Sequence, residues 1–222
     1  SAGAIIGALH CQGIMPKEIL KILNNLNYFS FFRPALNWQA FLNLEKVIDF
    51  LSIHLPVDDF SSLHTPLVVV ATDLKKEKIK YFKKGELWRL MIASCSIPVV
   101  FSPVKIKGTA YVDGGLLNNL PIEPLKKKCN YVIGLHCNPI GIIRTRVNWK
   151  KQLERSWLLA ISSRDRLKIK KIGLFWEPPE LSSYHVFDFK RLDTIFDIGY
   201  DYALQQLSKG KPECLINKYV RN

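Results

Sequence analysis

The sequence predicts an α/β protein with a largely parallel sheet. Short apolar runs at residues 67–71 and 131–136 have the length and composition of buried parallel strands. Segments with a helical hydrophobic period lie between and around these runs. Because strands that alternate with helices pack in layers, we expect a central sheet flanked by helices. The 222 residues contain no internal repeat and no convincing linker, which favours a single domain over 1–222.

Local signals predict the individual elements. A first helix over residues 2–9 ends ahead of Gly13, and a second helix begins at Pro16, because proline is favoured in a first helical turn. The other predictions, in chain order, are a helix over 44–52, a strand over 79–82, a helix over 86–94, a hairpin of 104–107 and 110–112 around Gly108-Thr109, helices over 121–128 and 149–161, a strand over 185–189 and a helix over 193–207.

Composition excludes several classes of protein. Hydrophobic residues make up 48% of the chain, which excludes disorder. No apolar stretch reaches the ~18 residues that a membrane span needs. The 5 cysteines are too few and too scattered for a disulfide framework, so we expect reduced thiols and a cytoplasmic location, with peripheral membrane contact as a possibility.

The formal net charge is +13, and it is unevenly distributed. Residues 1–60 carry a net charge of −1, whereas 61–137 and 138–222 carry +7 each. Such an excess is typical either of solvated lysine-rich faces or of attraction to a polyanion, which could be nucleic acid or an anionic membrane. Charge alone does not distinguish these alternatives.

Two motifs place reactive groups at element ends. Ser1, followed by Ala2 and Gly3, resembles the second half of a nucleophile elbow, in which small neighbours allow a tight strand-to-helix turn. Asp113 is followed by two glycines at the end of a predicted strand, where an open α/β sheet places its site. Each motif alone is also common in purely structural turns and helices.

The order of four motifs resembles the patatin-like phospholipase family. The motifs are Ser-Ala-Gly-Ala from residue 1, Ala-Thr-Asp-Leu from 71, Ala-Ser-x-Ser-Ile-Pro-x-x-Phe from 93 and Val-Asp-Gly-Gly-x-x-x-Asn-x-Pro from 112. The similarity is specific over 1–137 and weaker to the end, where Gly-Tyr-Asp-Tyr-Ala at 199–203 looks like the family's closing helix. The resemblance implies a three-layer patatin-like fold with a central, mainly parallel sheet flanked by helices.

The resemblance also implies a catalytic Ser–Asp dyad without histidine. By position, Ser1 is the nucleophile and Asp113 the base, and Ala2, Gly3, Gly114 and Gly115 support the two turns. The implied activity is hydrolysis of phospholipid or related lipid esters through an acyl-enzyme, without metal or organic cofactor. The family's glycine-rich oxyanion loop, the first strand or strands of the sheet and the first glycine of the elbow are absent from 1–222, so we expect activity in a longer protein and doubt it for this chain alone.

Other reactive residues fit no motif. The five histidines lack metal-ligand spacing, although His136, on an apolar strand, is the one that could act as a third catalytic group. Cys95 lies between two serines and is interpreted as a small core residue. The basic segment 164–171 is either a solvated face or a contact for anionic lipid headgroups. Trp149, Trp157, Phe175 or Trp176 could add interfacial anchoring where exposed, although core packing is favoured for most of them.

Two alternatives stay open, and a third is not expected. The chain could be a patatin-like protein or fragment that binds lipid or membrane without catalysis. It could be an N-terminal nucleophile hydrolase in which Ser1 uses its own amine, although such nucleophiles usually begin a strand. A nucleic-acid-binding module is not expected, because zinc-finger spacing, an RNP-like motif and a convincing helix-turn-helix pattern are missing.

Overall fold

The computed structural model describes residues 1–26, 46–126, 128–141, 149–162, 165–169 and 172–209. The helices are α1 (Ala2–Cys11), α2 (Pro16–Asn24), α3 (Lys46–His54), α4 (Leu87–Cys95), α5 (Gly115–Asn118), α6 (Glu123–Lys126), α7 (Trp149–Ser162), α8 (Asp165–Ile169) and α9 (Leu192–Ser208). The strands are β1 (Val69–Asp73), β2 (Lys78–Phe82), β3 (Val104–Ile106), β4 (Thr109–Asp113), β5 (Ile133–Leu135) and β6 (Leu174–Trp176). The prediction of an α/β protein is confirmed.

Four of the strands form one sheet in the order β2-β1-β4-β3. Every pairing in this sheet is antiparallel, while β5 and β6 form a separate parallel pair. The expectation of mainly parallel pairing is therefore wrong for the described residues. Short connections explain two of the three pairings: β1 and β2 are joined by residues 74–77 and β3 and β4 by two residues, whereas a parallel crossover needs about a dozen or more.

The β3–β4 hairpin was predicted one residue late. Its turn residues are Lys107 and Gly108, with φ angles of 47° and 77°. Two successive positive φ angles are typical of the type I′ turn, whose twist matches that of the flanking strands. Register then follows: Val104 lies opposite Tyr111, and Ile106 opposite Thr109. This register places Asp113 beyond Val104, the first residue of β3, at the end of β4 where it still pairs with Ala71 of β1.

The core lies between the sheet and a layer of helices. Helix α4 packs on β1 and β4, and α1 and α3 pack against α4. The largest fully buried apolar side chains come from these elements and include Leu9, Leu51, Val69, Leu87 and Met91. Because α1 and β4 both pack against α4, the start of α1 and the end of β4 are brought together. Among the described residues, no helix combines the length and apolar character required to cross a bilayer.

The last third departs most from the predictions. Residues 185–189 form no strand, because the backbone N–H of Val186 donates to the Glu154 side chain at 2.8 Å and that of Asp188 turns back to His185 at 3.1 Å. Strand β6 was not predicted. The predicted helix over 121–128 is shortened to α6. Residues 44 and 45 of the third predicted helix lie outside the described residues.

Candidate active site

Ser1 lies immediately ahead of α1, at the position that caps the helix. Its carbonyl oxygen accepts the first helical hydrogen bond, from the N–H of Ala4 at 2.8 Å, which leaves the side chain free to point elsewhere. That side chain is 49% exposed. N-terminal nucleophile hydrolases usually begin with a strand at the nucleophile. The chain after Ser1 is helical, which disfavours that alternative.

The carboxylate of Asp113 accepts a hydrogen bond from the hydroxyl of Ser1. Ser1 Oγ donates a hydrogen bond to Asp113 Oδ2, and the backbone N–H of Gly115 donates to Asp113 Oδ1 at 2.7 Å. The Asp113 side chain is only 5% exposed. One carboxylate oxygen is thus held by the backbone while the other faces the hydroxyl. The structure brings together the two residues that the sequence singled out.

Of the two glycines after Asp113, Gly114 is required by its surroundings. A β-carbon on Gly114 would lie 2.6 Å from the carbonyl oxygen of Val70, whereas one on Gly115 would lie 3.1 Å from the side-chain atom Asp113 Oδ1. The first distance is far inside van der Waals contact with backbone, which cannot move without shifting β1. The chain therefore turns out of β4 directly over its neighbouring strand, and a larger residue at Gly114 would displace the turn or β1.

The two supporting residues near Ser1 behave differently. Ala2 begins α1 and is exposed. A β-carbon on Gly3 meets nothing within 4 Å, so the tight packing expected at this glycine is not found among the described residues. The first close approach along the helix is at Gly7, where a β-carbon would contact the Leu67 side chain at 3.5 Å.

Three further side chains and backbone groups hold the pair in place. The hydroxyl of Thr72 donates to the carbonyl of Asp113 at 3.0 Å, and the carbonyl of Ser96 accepts the N–H of Asp113 at 2.9 Å. Ser94 Oγ accepts a hydrogen bond from the backbone nitrogen of Ser1 at 3.1 Å. Thr72, Ser94 and Ser96 are all buried. The sequence flagged both of their motifs but assigned no role to these three residues.

Asp73 has a structural role instead. Its Oδ1 accepts the backbone N–H groups of Lys75 and Lys76 at 3.0 and 2.9 Å, which fixes the turn between β1 and β2. A short carboxylate that binds the backbone two residues on is a common turn-forming device. The described contacts of the Asp73 carboxylate are therefore those of a turn residue.

Cys95 lies near the pair but is held in its neutral form. Burial, and to a lesser degree the negative charge of Asp113, raises the pKa of the Cys95 thiol to about 11. At pH 8 about one thiol in a thousand is ionised, and only the thiolate is a good nucleophile. We therefore expect Cys95→Ala to leave the rate of fluorophosphonate labelling at Ser1 within about twofold of wild type. A loss of labelling without a loss of folded protein would contradict this.

His136 contacts other groups. Its Nδ1 lies 2.6 Å from Glu177 Oε1, and its ring stacks on Phe175 with centroids 6.0 Å apart. Both partners belong to β6 or the residue after it, so the histidine joins β5 to β6. Within the part of the chain that the structure describes, no contact joins His136 to Ser1 or Asp113.

At the junction of a strand end and a helix start, a buried carboxylate accepts a serine hydroxyl, which is the Ser–Asp arrangement that the sequence resemblance implies. The family model described as patatin-like phospholipase matches residues 1–126. The chain belongs to the patatin-like phospholipase family, a family of lipid hydrolases, and the predicted patatin-like fold is thereby confirmed.

Relatives are found in bacteria, yeasts and a virus. An uncharacterised NTE family protein of Mycobacterium tuberculosis is 30% identical over 127 residues, which cover 56% of this chain and 35% of the relative. Lysophospholipase NTE1 of Meyerozyma guilliermondii is 26% identical over 60% of this chain and 11% of the relative. An uncharacterised protein, R571, of Acanthamoeba polyphaga mimivirus is 26% identical over 94% of this chain and 81% of the relative. The matched part of the chain thus spans about a third of the mycobacterial relative and about a tenth of the yeast relative.

Proposed function

We propose that the chain carries the catalytic dyad of a serine lipid acyl hydrolase, with Ser1 as nucleophile and Asp113 as general base. The observation that carries the proposal is the hydrogen bond from the Ser1 hydroxyl to the buried Asp113 carboxylate. A serine hydroxyl is a weak nucleophile and needs a base within hydrogen-bond reach. The test is hydrolysis of lysophospholipid and phospholipid by the natural full-length protein, with both residues replaced in turn.

The proposed reaction has two acyl-transfer steps. Ser1 Oγ attacks the ester carbonyl carbon and its proton passes to Asp113 Oδ2; the leaving alcohol takes that proton as the ester bond breaks. Water then attacks the acyl carbonyl and gives a proton to Asp113. Release of the fatty acid returns that proton to Ser1 Oγ. Protons balance over the cycle, and the only groups of this chain that change state are the two members of the dyad.

Negative charge develops on the substrate's carbonyl oxygen during both attacks, and the Ser1–Asp113 dyad supplies no hydrogen-bond donor to that oxygen. The family resemblance implies a glycine-rich loop whose N–H groups bind that oxygen, and loss of one such donor costs ~10²–10³ in rate. We therefore propose that catalysis belongs to a longer natural protein in which 1–222 is a single patatin-like domain.

For the substrate, the relatives give the best lead. The yeast relatives are named lysophospholipases, so the sn-1 or sn-2 ester of a lysophospholipid is the first substrate to test, ahead of diacyl phospholipid. The dyad itself requires only that the substrate has an ester carbonyl. Selection for headgroup and chain length must therefore come from other residues that line the site.

We also propose peripheral contact with an anionic membrane from a cytoplasmic location. Among the predicted aromatic anchors, Trp149 is 70% exposed on α7, whereas Trp157, Phe175 and Trp176 are half-buried. Leu153, four residues on, is 64% exposed, so the two apolar side chains share one helix face. An exposed apolar stripe on a helix of a basic chain suits the boundary between lipid headgroups and acyl chains.

Replacing Trp149 and Leu153 together by alanine is expected to weaken binding to phosphatidylserine-rich vesicles about tenfold, because apolar area that would enter the bilayer is lost. Co-sedimentation measures the effect. Ile53→Ala is the matched control, since Ile53 is 74% exposed on the distant helix α3. Binding that is equal for neutral and anionic vesicles, insensitive to salt, or unaffected by the double substitution would contradict the proposed contact.

A further inference from the structure

Lys168 lies in the basic segment 164–171, yet its cation points inward. Its Nζ donates to Asn118 Oδ1, to Glu123 Oε1 at 2.7 Å and to the carbonyl of Leu120 at 3.3 Å. The side chain is 21% exposed. An ammonium has three donors, so all three are used within the protein. This contact set removes Lys168 from the predicted lipid-binding face.

Asn118 is the common partner of this cluster. Its amide nitrogen donates to Tyr81 Oη and to Glu123 Oε2, both at 2.9 Å, and its amide oxygen accepts from Lys168. Asn118 is 8% exposed. Tyr81 also donates to Glu123 Oε2 at 3.1 Å, which closes the ring of contacts. We call these four residues, Tyr81, Asn118, Glu123 and Lys168, the turn clamp.

A second contact ties α8 to the same turn. Asn119 donates through Nδ2 to Asp165 Oδ2 at 3.1 Å, and Asp165 is 5% exposed. Helix α8 therefore holds two successive asparagines, one through Asp165 and one through Lys168. The two contacts span about 50 residues of sequence, so they fix the turn relative to a distant part of the chain.

The turn held by the clamp is the one that orients Asp113. Helix α5 runs from Gly115 to Asn118. Its first N–H, that of Gly115, donates to Asp113 Oδ1 at 2.7 Å, while the N–H of Asn118 donates to the carbonyl of Gly114 at 2.9 Å. A single helical turn therefore begins at the carboxylate and ends in the turn clamp. A helix this short has little stability of its own and depends on tertiary contacts.

We propose that Lys168 is a positioning residue for catalysis: by fixing Asn118 and Glu123 it holds α5 in place, so that the Gly115 N–H keeps the Asp113 carboxylate aligned with the Ser1 hydroxyl. This inference rests on the proposed function, since it assigns Lys168 to the same reaction without contact to substrate. Small displacements of a catalytic group are costly, with a misplacement of about 1 Å worth about 10²-fold in rate.

Glu123 keeps its negative charge at neutral pH. Burial alone would raise the pKa of Glu123, but the hydrogen bonds from Lys168 and Asn118 outweigh it and lower that pKa to about 2. The folded-state pKa lies below the ordinary carboxyl value, so the stabilisation from this carboxylate is present above about pH 4 and is lost as pH falls towards 2. At neutral pH the Glu123 carboxylate is therefore available to hold the turn.

The test replaces Lys168 by methionine in the natural full-length protein and measures fluorophosphonate labelling of the nucleophile. We expect the maximal labelling rate to fall about 10- to 100-fold while the half-saturating probe concentration changes less than about twofold. Lys168→Arg, which keeps a cation and several donors, should recover most of the rate. Lys84→Met is the matched control, because Lys84 is exposed in the turn after β2, and it should label like wild type.

Amide hydrogen exchange makes the result independent of activity. In Lys168→Met the amides of Gly115 and Asn118 should exchange faster than in wild type and Lys84→Met, with exchange in β1 and α4 unchanged. If amide exchange at the turn accelerates in Lys168→Met but the wild-type protein is not labelled, the turn clamp is supported and the proposed function is rejected. Unchanged exchange at the turn, an unchanged labelling rate, or a uniform rise in exchange across the fold would overturn the clamp.

Discussion

Replacing Ser1 by alanine is expected to lower kcat for lysophospholipid hydrolysis by about 10⁶-fold, and Asp113→Asn to lower it by at least about 10³-fold. Alanine has no nucleophile. Asparagine keeps the size of the side chain and an oxygen for the Gly115 N–H, but an amide does not accept the proton that Ser1 must lose. Release of fatty acid by the full-length protein, followed over time, measures both.

The Asp113→Asn result separates chemistry from folding. Because the replacement is isosteric and the hydroxyl contact can persist, we expect its urea unfolding midpoint to stay close to that of wild type. Thr72 and Ser96 bind the Asp113 backbone, which the substitution does not change. An Asp113→Asn protein that folds normally and hydrolyses substrate at the wild-type rate would exclude the carboxylate as base.

The second large effect is expected at Gly114. Its β-carbon in the Gly114→Ala protein would lie 2.6 Å from the Val70 carbonyl oxygen and 2.8 Å from the carbonyl carbon. To remove this steric overlap, β1 and β4 must move apart or the turn must move away from β1. We expect this to lower the free energy of unfolding by about 3 kcal/mol. The same shift displaces the Asp113 carboxylate, so hydrolysis should also fall. Urea denaturation measures the stability change.

Gly199→Ala is the matched control for Gly114→Ala. Gly199 lies inside α9, and a β-carbon there meets nothing within 4 Å. Alanine should therefore raise the free energy of unfolding by up to about 1 kcal/mol through its better helix propensity. Opposite signs for the same substitution at two glycines would show that contact with Val70 decides the outcome. A Gly114→Ala protein as stable as wild type would contradict the geometry of the turn.

The sequence could predict features that depend on neighbouring residues. Pro16 begins α2 as expected, and Gly13, with φ of 95°, lies just past the end of α1. Apolar runs located β1 and β5. The motif at Asp113 identified a carboxylate at a strand end, where the structure places it. These signals are local, because capping, proline geometry and turn chemistry act within a few residues.

Features that depend on distant partners could not be predicted in the same way. Strand direction in the main sheet follows from which strands meet in space, and an apolar run such as β1 suits parallel and antiparallel pairing alike. Lys168 looked like one cation in a basic run. Its three acceptors lie at Asn118, Leu120 and Glu123, and no local pattern joins them. Thr72 was likewise overlooked beside the more conspicuous Asp73.

The most direct test of the proposed dyad is the mass-spectrometric location of a fluorophosphonate adduct on the full-length protein. The proposed function predicts one adduct, on the Ser1 peptide, absent in Ser1→Ala and formed at least about 10³-fold more slowly in Asp113→Asn. An adduct on any other residue, or equal labelling of wild type and Asp113→Asn, would contradict it.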